Sequence, residues 1–323
     1  MHQKTVLVAG GAGFIGSHIN KMLDEAGYQT IVLDNLSSGS ERSVTHGLFI
    51  KGDLADTECL DKIFKNHKID AVMHFAALID VGESVRLPAL YYRNNVVNTL
   101  NLLEAMQRHG VSLFVFSSSA AIFGTPQEVF ITENHPCKPI NPYGETKWIV
   151  EKMLRDLAAS SNLRAISLRY FNAAGGDPQG KLKHYRRKET NLIPLVLRSL
   201  KDPKGQVKIY GTDYPTPDGT CIRDYIHIED LGEAHLLALK QLLAGAPSTA
   251  YNLGNGQGFS VREVIKQTER VTGLKVRILE SERRPGDPPI LVADASKAMA
   301  ELGWQPRFPH LDTMIEHAWK SMQ

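Results

Sequence analysis

Residues Val6 to Ile19 read VLVAGGAGFIGSHI, and this stretch sets the architecture. The apolar run Val6–Ala9 meets glycines at Gly10, Gly11, Gly13 and Gly16, and apolar residues at helical spacing follow. Gly10, Gly13 and Gly16 have G-x-x-G-x-x-G spacing, and Gly11, Gly13 and Gly16 also satisfy G-x-G-x-x-G. Glycines between a strand and a helix allow a tight turn, close approach of backbone to a pyrophosphate, and close packing of helix on strand. Such a pattern is weak by itself. It gains weight from Asp34, which ends the next strand pattern in VLDN, where a carboxylate binds the hydroxyls of an adenosine ribose. A carboxylate there repels a 2′-phosphate, and no basic residue follows until Arg42, so the expected dinucleotide is NAD rather than NADP.

Outward from this loop the chain alternates short apolar runs with helical patterns: TIVLDN, LFIKGD, TECLDKIFKNH, DAVMHFAA, SLFVFSSS and RAISLRY. A long helix is expected over about 88–108, and another after Pro142. Strand and helix in succession predict an α/β fold, a Rossmann-type doubly wound parallel sheet of about seven strands. After Tyr170 the texture shifts to glycine-rich and polar segments between shorter elements. The expected division is a dinucleotide-binding domain over 1–170 and a smaller α/β substrate-binding lobe over 171–323, partly interleaved with the first. Within the lobe, Ser260 and Glu263 have capping-box spacing ahead of VREVIKQTERVTG, with Gly273 at its end.

Composition narrows the function classes. The chain has 323 residues and 42% hydrophobic content, enough to bury a sizeable core. Lys and Arg number 37 against 35 Asp and Glu, a balance that gives no general reason to expect nucleic acid or a membrane surface. The basic run Lys181–Lys188 reads as a solvated loop, or as one that helps steer an anionic ligand toward a nearby site. Cys59, Cys137 and Cys221 fit neither a disulfide framework nor zinc spacing, the twelve histidines show no metal-ligand pattern, and no apolar run is long enough to span a bilayer. A cytoplasmic protein with no metal is expected.

Between Asn141 and Lys147 the chain reads NPYGETK. Tyr143 and Lys147 are four apart, so on a helix they stand side by side. A phenol with a pKa of about 10 is a poor base at neutral pH, and an adjacent ammonium favours the phenolate. Taken alone the pair also reads as an ordinary helix start. Asp53, ending the third strand in KGDL, reads either as an acceptor for an adenine amino group or as a helix N-cap. The small residues of HFAA, His74–Ala77, leave room for a cofactor at the fourth strand end. Arg223 and Arg284 read in isolation as surface salt-bridge residues, and Asn94 reads equally as a polar residue inside its helix.

The glycine loop, the serine-rich strand end and the Tyr-x-x-x-Lys pair together resemble the extended short-chain dehydrogenase/reductase family. Within it, AGGAGFIGSH, DNLSSGS, FAALIDVGESV, FSSSAAIFG, NPYGETK, LRYFNAAG, YGTDYPTPDGTCIRDYIHIEDL and RRPGDP look most like UDP-glucose 4-epimerases. The resemblance covers nearly the whole chain. It implies NAD, a UDP-hexose substrate, a homodimer built on helices, and catalysis by Ser119, Tyr143 and Lys147. The implied cofactor contacts are Gly10, Gly13, Phe14, Ile15 and Gly16 in the first loop, then Asp34, Asn35 and Ser37, then Asp53 and Leu54. Phe75, Ala76, Ala77, Asn94, Ser117 and Phe171 complete them, with Tyr143 and Lys147. Besides Ser119 and Tyr143, the implied substrate contacts are Asn172, Asn191, Leu192, Arg223, Arg284, Asp287 and Leu291.

Two positions depart from the family pattern. Ile79 stands where a lysine is frequent, removing one polar contact to the cofactor. Leu291 stands at a position that gates the sugar pocket, usually a large tyrosine or a small serine or cysteine. Its intermediate bulk leaves acceptance of N-acetylated hexoses open, with UDP-glucose and UDP-galactose the expected substrates. The rivals are a sugar-nucleotide dehydratase, a UDP-glucuronate decarboxylase, an epimerase acting on uronates or pentoses, and a catalytically silent NAD-binding sensor. SSSAAIFG lacks the carboxylates that elimination requires after the serine strand, and retention of Ser119, Tyr143 and Lys147 speaks against the sensor.

Overall fold

The computed structural model describes residues 3–185, 189–284 and 287–323. Its first half runs β1 (Thr5–Ala9), α1 (Phe14–Glu25), β2 (Gln29–Asp34), β3 (Leu48–Lys51), α2 (Thr57–Asn66), β4 (Ala71–His74), α3 (Val81–Arg86), α4 (Pro88–Tyr91), α5 (Asn98–Arg108), β5 (Leu113–Ser119), β6 (Phe130–Ile131), α6 (Pro142–Ser160) and β7 (Arg164–Tyr170). The remainder runs β8 (Asn172–Ala174), α7 (Leu192–Lys201), β9 (Val207–Tyr210), β10 (Ile222–His227), α8 (Ile228–Leu243), β11 (Thr249–Leu253), β12 (Gly258–Ser260), α9 (Val261–Thr272), β13 (Ile278–Ser281), β14 (Ile290–Ala293), α10 (Ser296–Leu302) and α11 (Leu311–Met322).

The main sheet has seven strands in the order β11-β7-β5-β4-β1-β2-β3, all parallel. Period-two alternation splits each strand between two helix layers. Val6 and Val8 face a core shared with Ile19 and Leu23 of α1 and Leu231 and Leu239 of α8. Leu7 and Ala9 face the opposite core with Leu60 of α2, Leu102 of α5 and Val150 of α6. Each such aliphatic side chain contributes about 1.5–3 kcal/mol on burial. A smaller sheet joins β12, β10, β14 and β6, with β8 extending β10. Strand β11 comes from beyond residue 170 yet lies in the main sheet, whereas β6 precedes residue 170 and lies in the smaller one.

The helix expected over 88–108 is interrupted. Residues Tyr92–Val97 widen into a π-helical turn between α4 and α5. In that turn Asn95 accepts from Leu78 N–H, donates to Leu78 carbonyl, and reaches Thr146 Oγ1 of α6 at 3.1 Å. A π turn is the local adjustment that lets one side chain serve such distant partners. The capping box of α9 forms as its spacing predicts, and Gly273 ends the helix in the left-handed region. The run from Lys181 is not a wholly solvated loop. Leu182 is buried, and the His184 ring packs edge-on against Phe14 at 5.3 Å while its Nε2 meets Glu189 at 2.8 Å. Residues 186–188 of that run lie outside the described residues.

His74, at the end of β4, is buried against the rings of Phe114 and Phe116, and its Nε2 pairs with Thr99 Oγ1 at 2.8 Å. Burial, and secondarily the charge of Lys147, lowers its pKa from 6.5 to about 3. Above pH 6.5 it is neutral folded or unfolded; as pH falls from there toward 3, only the unfolded chain takes up the proton, so stability is lost. His74→Gln should therefore flatten the acid limb of stability by about 1.4 kcal/mol per pH unit. Urea midpoints of both proteins across that range test this, and parallel curves would refute it.

Candidate active site

The glycine loop and the ends of β2, β3 and β4 line an open cleft. It lies beyond the carboxyl ends of parallel strands, where open α/β sheets bind ligands. Gly10, Gly13, Asp34, Asn35 and Ser37 line one part of it; Asp53, Leu54, Phe75, Ala76, Ala77 and Asn94 line the rest. Leu33, Ser38, Gly52, Leu78 and Asn98 line it as well and were not singled out from the sequence. Helix α1 begins at Phe14 behind Gly13, and no side chain caps that end. The first-turn amides and the positive end of the helix dipole are thus available to an anion. The side chains of Phe14 and Ile15 pack, partly buried, against the core.

Asp34 organises the loop before any ligand arrives. One carboxylate oxygen accepts from Ala12 N–H at 3.0 Å and the other from Leu36 N–H at 2.8 Å. Leu36 is thereby held at φ 61°, a left-handed conformation unusual for a branched residue. Burial raises the Asp34 pKa, and the two amide bonds oppose that shift. Asp53 accepts from Asn35 Nδ2 at 2.7 Å and from Ala55 N–H at 2.8 Å. The N-cap of α2 is instead Asp56, which accepts from Cys59 N–H at 2.9 Å, so the helix-cap reading of Asp53 is corrected. The uncapped helix end, the glycine turn and the carboxylate fit a dinucleotide.

Farther along the strand ends, α6 presents the tyrosine and lysine. Asn141 caps the helix, accepting from Gly144 N–H at 2.8 Å, and Pro142 occupies its first turn. Gly144 lets α6 approach the turn that follows the serine strand: a Cβ there would lie 2.4 Å from Ala121 carbonyl oxygen. Ser119 Oγ accepts from Ala121 N–H at 3.2 Å, which orients the hydroxyl. Lys147 is buried, donates to Ser117 carbonyl at 2.8 Å, and lies 4.9 Å from the centre of the Phe116 ring. Burial lowers its pKa from 10.5 to about 7, and the Glu151 carboxylate opposes that shift. Ser117 Oγ pairs with Tyr170 hydroxyl, fixing the strand end beside the lysine.

A family model described as the NAD dependent epimerase/dehydratase family matches residues 6–254. The chain belongs to that family. It is 49% identical to a UDP-glucose 4-epimerase of Halalkalibacterium halodurans, over 97% of this chain and 94% of that protein. Among solved structures it resembles the UDP-glucose 4-epimerase of Brucella ovis in complex with NAD, with TM-score 0.95, 46% identity, and 98% and 97% of the two chains covered. It also resembles the Bifidobacterium longum enzyme in complex with NAD+ and UDP, with TM-score 0.93, 40% identity and 98% of each chain covered.

In this epimerase/dehydratase chain the residues beyond Tyr170 supply a second group of side chains. Arg223 donates to the carbonyls of Ile222 and Pro288 and stands 3.7 Å from Asp287; Arg284 Nε meets Asp287 at 2.9 Å. The two arginines thus converge on one carboxylate rather than forming separate surface pairs. Arg284 also lies over the Tyr210 ring at 4.6 Å, a contact absent from the sequence reading because the two residues are far apart in the chain. Asn172 Nδ2 donates to Asp224 carbonyl at 2.9 Å. Asn191 precedes α7, its N–H bound to Glu189 at 3.0 Å, and Leu192 packs into two apolar clusters of the lobe. Leu291 pairs in register with Arg223 and, like Phe171, packs against the cluster of Ala120, Ile122, Phe123 and Ile131 that follows Ser119. Ile79 is partly exposed beside the cleft-lining Leu78.

Proposed function

We propose that this chain interconverts UDP-glucose and UDP-galactose at carbon 4 of the hexose, with NAD as its cofactor. The observation that carries the reading is Tyr143 and Lys147 on one face of α6, with Lys147 clamped to the serine strand beside the dinucleotide cleft. Bound NAD supplies a reversible hydride acceptor at carbon 4. Tyr143 takes the proton of the 4-hydroxyl, Ser119 hydrogen-bonds the same oxygen, and the Lys147 ammonium favours the phenolate. The 4-keto sugar must then turn over and be reduced on its other face, so the hexose is held loosely and the nucleotide firmly. Arg223 and Arg284 suit the diphosphate, Asp287 a ribose hydroxyl, and Asn172, Asn191 and Leu192 the remaining substrate wall.

Residues 1–170 carry the cofactor side of this scheme and residues 171–323 the substrate side. A homodimer in the cytoplasm completes the reading. Its support is a run of exposed apolar side chains, Val85 of α3, Leu90 of α4, Val97 of the π turn and Leu100 of α5. No helix among the described residues is long and apolar enough to cross a membrane.

The test is product analysis of purified protein with UDP-galactose, followed at the absorbance of reduced nicotinamide. UDP-glucose should form without net cofactor consumption; a stoichiometric requirement for added NAD would replace the epimerase reading with a dehydrogenase. Leu291 packed against the buried cluster that follows Ser119 supports a preference for hexoses without the N-acetyl group. Leu291→Ser should raise turnover of UDP-N-acetylgalactosamine relative to UDP-galactose by about tenfold, the effect of roughly one or two methylenes of room. An unchanged ratio would remove Leu291 from the gate.

A further inference from the structure

Beneath the catalytic helix lies a buried ion pair that the reaction scheme does not use. Glu151 stands one helical turn beyond Lys147 on the same face of α6, and Arg169 stands on β7, one residue before Tyr170. Both are buried, at 8% and 7% exposure. Arg169 Nη2 donates to Glu151 Oε2 at 2.6 Å, and Nε reaches both carboxylate oxygens at 3.0 and 3.1 Å. Glu151 Oε1 also accepts from Ser118 Oγ at 2.5 Å. Ser118 lies between Ser117, whose carbonyl holds the Lys147 ammonium, and Ser119. Arg169 continues the network through Nη1 to Glu133 carbonyl, and Glu133 in turn accepts from Asn252 N–H.

A buried ion pair is a poor source of net stability, because desolvation offsets most of the attraction. Two apolar residues would hold α6 on the sheet as well. What they would not supply is a negative charge one turn from a buried ammonium, tied by a hydrogen bond to the strand that holds it. The other titratable groups around Lys147 cannot serve. Tyr143 on α6, His74 on β4, Tyr170 on β7 and Cys137 beyond β6 are neutral near pH 7 or form the reacting group itself, and burial favours neutrality for His74, Tyr170 and Cys137. Of the pair, Glu151 is the charge that bears on Lys147, from one turn away on the same helix face, while Arg169 stands on the neighbouring strand.

We propose that Glu151, held by Arg169 and Ser118, is a positioning residue for the reaction, one that locks the Tyr143–Lys147 helix onto the serine strand and sustains the charge of Lys147. The proposal rests on the epimerase reading for its purpose, and its test does not require turnover. The probe is the ε-carbon NMR shift of Lys147 in lysine-labelled protein, assigned by its loss in Lys147→Arg and followed against pH. Glu151→Gln leaves Arg169 buried and unpaired, which can prevent folding, so the deciding protein is the double variant Glu151→Gln, Arg169→Gln, which removes both charges together. Its Lys147 midpoint should fall by about one pH unit, and the alkaline limb of kcat/KM for UDP-galactose should move down with it. Glu151→Asp, which keeps the charge, should return the midpoint toward the wild-type value. A folded double variant that titrates as the wild type overturns the proposal even if the protein is an epimerase. A shifted midpoint in a protein without epimerase activity upholds the electrostatic role and removes the function assigned to the site.

Discussion

Tyr143→Phe should lose turnover by about a thousandfold or more while still binding NAD, since positioned proton transfer contributes about 10²–10⁴-fold. The substitution deletes one hydroxyl at the first turn of α6. It leaves the Asn141 cap, the Pro142 start and the Gly144 approach to Ala121 unaltered. Lys147 keeps its bond to Ser117 carbonyl, so the strand and helix stay joined. What disappears is the only phenol placed beside that ammonium on the helix face, and with it the route for the proton of the 4-hydroxyl. Calorimetric NAD titration and an assay with UDP-galactose report the two properties separately. A loss smaller than about tenfold would assign the proton transfer to another group. Parallel loss of NAD affinity would make Tyr143 a binding residue first.

Gly10→Ala should damage both stability and cofactor binding. Gly10 sits at φ +83°, which L residues adopt at a cost of about 1–2 kcal/mol. A Cβ there would lie 2.4 Å from Ala76 N and 2.7 Å from Ala76 Cα, so the end of β4 must move away from β1. That movement opposes the bond from Ala76 N–H to Ala9 carbonyl at 3.0 Å and disturbs the wall formed by Phe75 and Ala76. The combined cost is roughly 3 kcal/mol, in the range of strained backbone plus overpacking. Urea denaturation should show a lower midpoint, and NAD affinity should fall by more than tenfold, equivalent to about 1.4 kcal/mol. Unchanged values would mean that the loop has slack which this close contact contradicts.

How much of this was legible beforehand differs between the two ends of the site. The cofactor end was read almost entirely from sequence, because its determinants are local: a strand, a glycine turn, a helix start and an acid at the next strand end. The tyrosine and lysine were legible for the same reason, since four residues on a helix guarantee a shared face. Asp53 shows the limit of local reading. KGDLAD offers two carboxylates that both suit an N-cap, and only the path of the chain showed that Asp56 takes the role.

The sequence by itself determined the parallel sheet, the succession of its elements, the glycine turn with Asp34 at the next strand end, and the shared helix face of Tyr143 and Lys147, all of which follow from periodicity and fixed short spacings. Tertiary structure alone decided that Arg223 and Arg284 share Asp287, that Leu182 and His184 leave the solvent, and that Leu291 and Phe171 pack against the turn after Ser119. It alone brought Glu151 to Arg169 and Ser118, on neighbouring elements separated by 18 and 33 positions in sequence. Side chains on different elements meet only through sheet order and helix packing, and those are set by the burial of the whole chain rather than by the residues that finally touch.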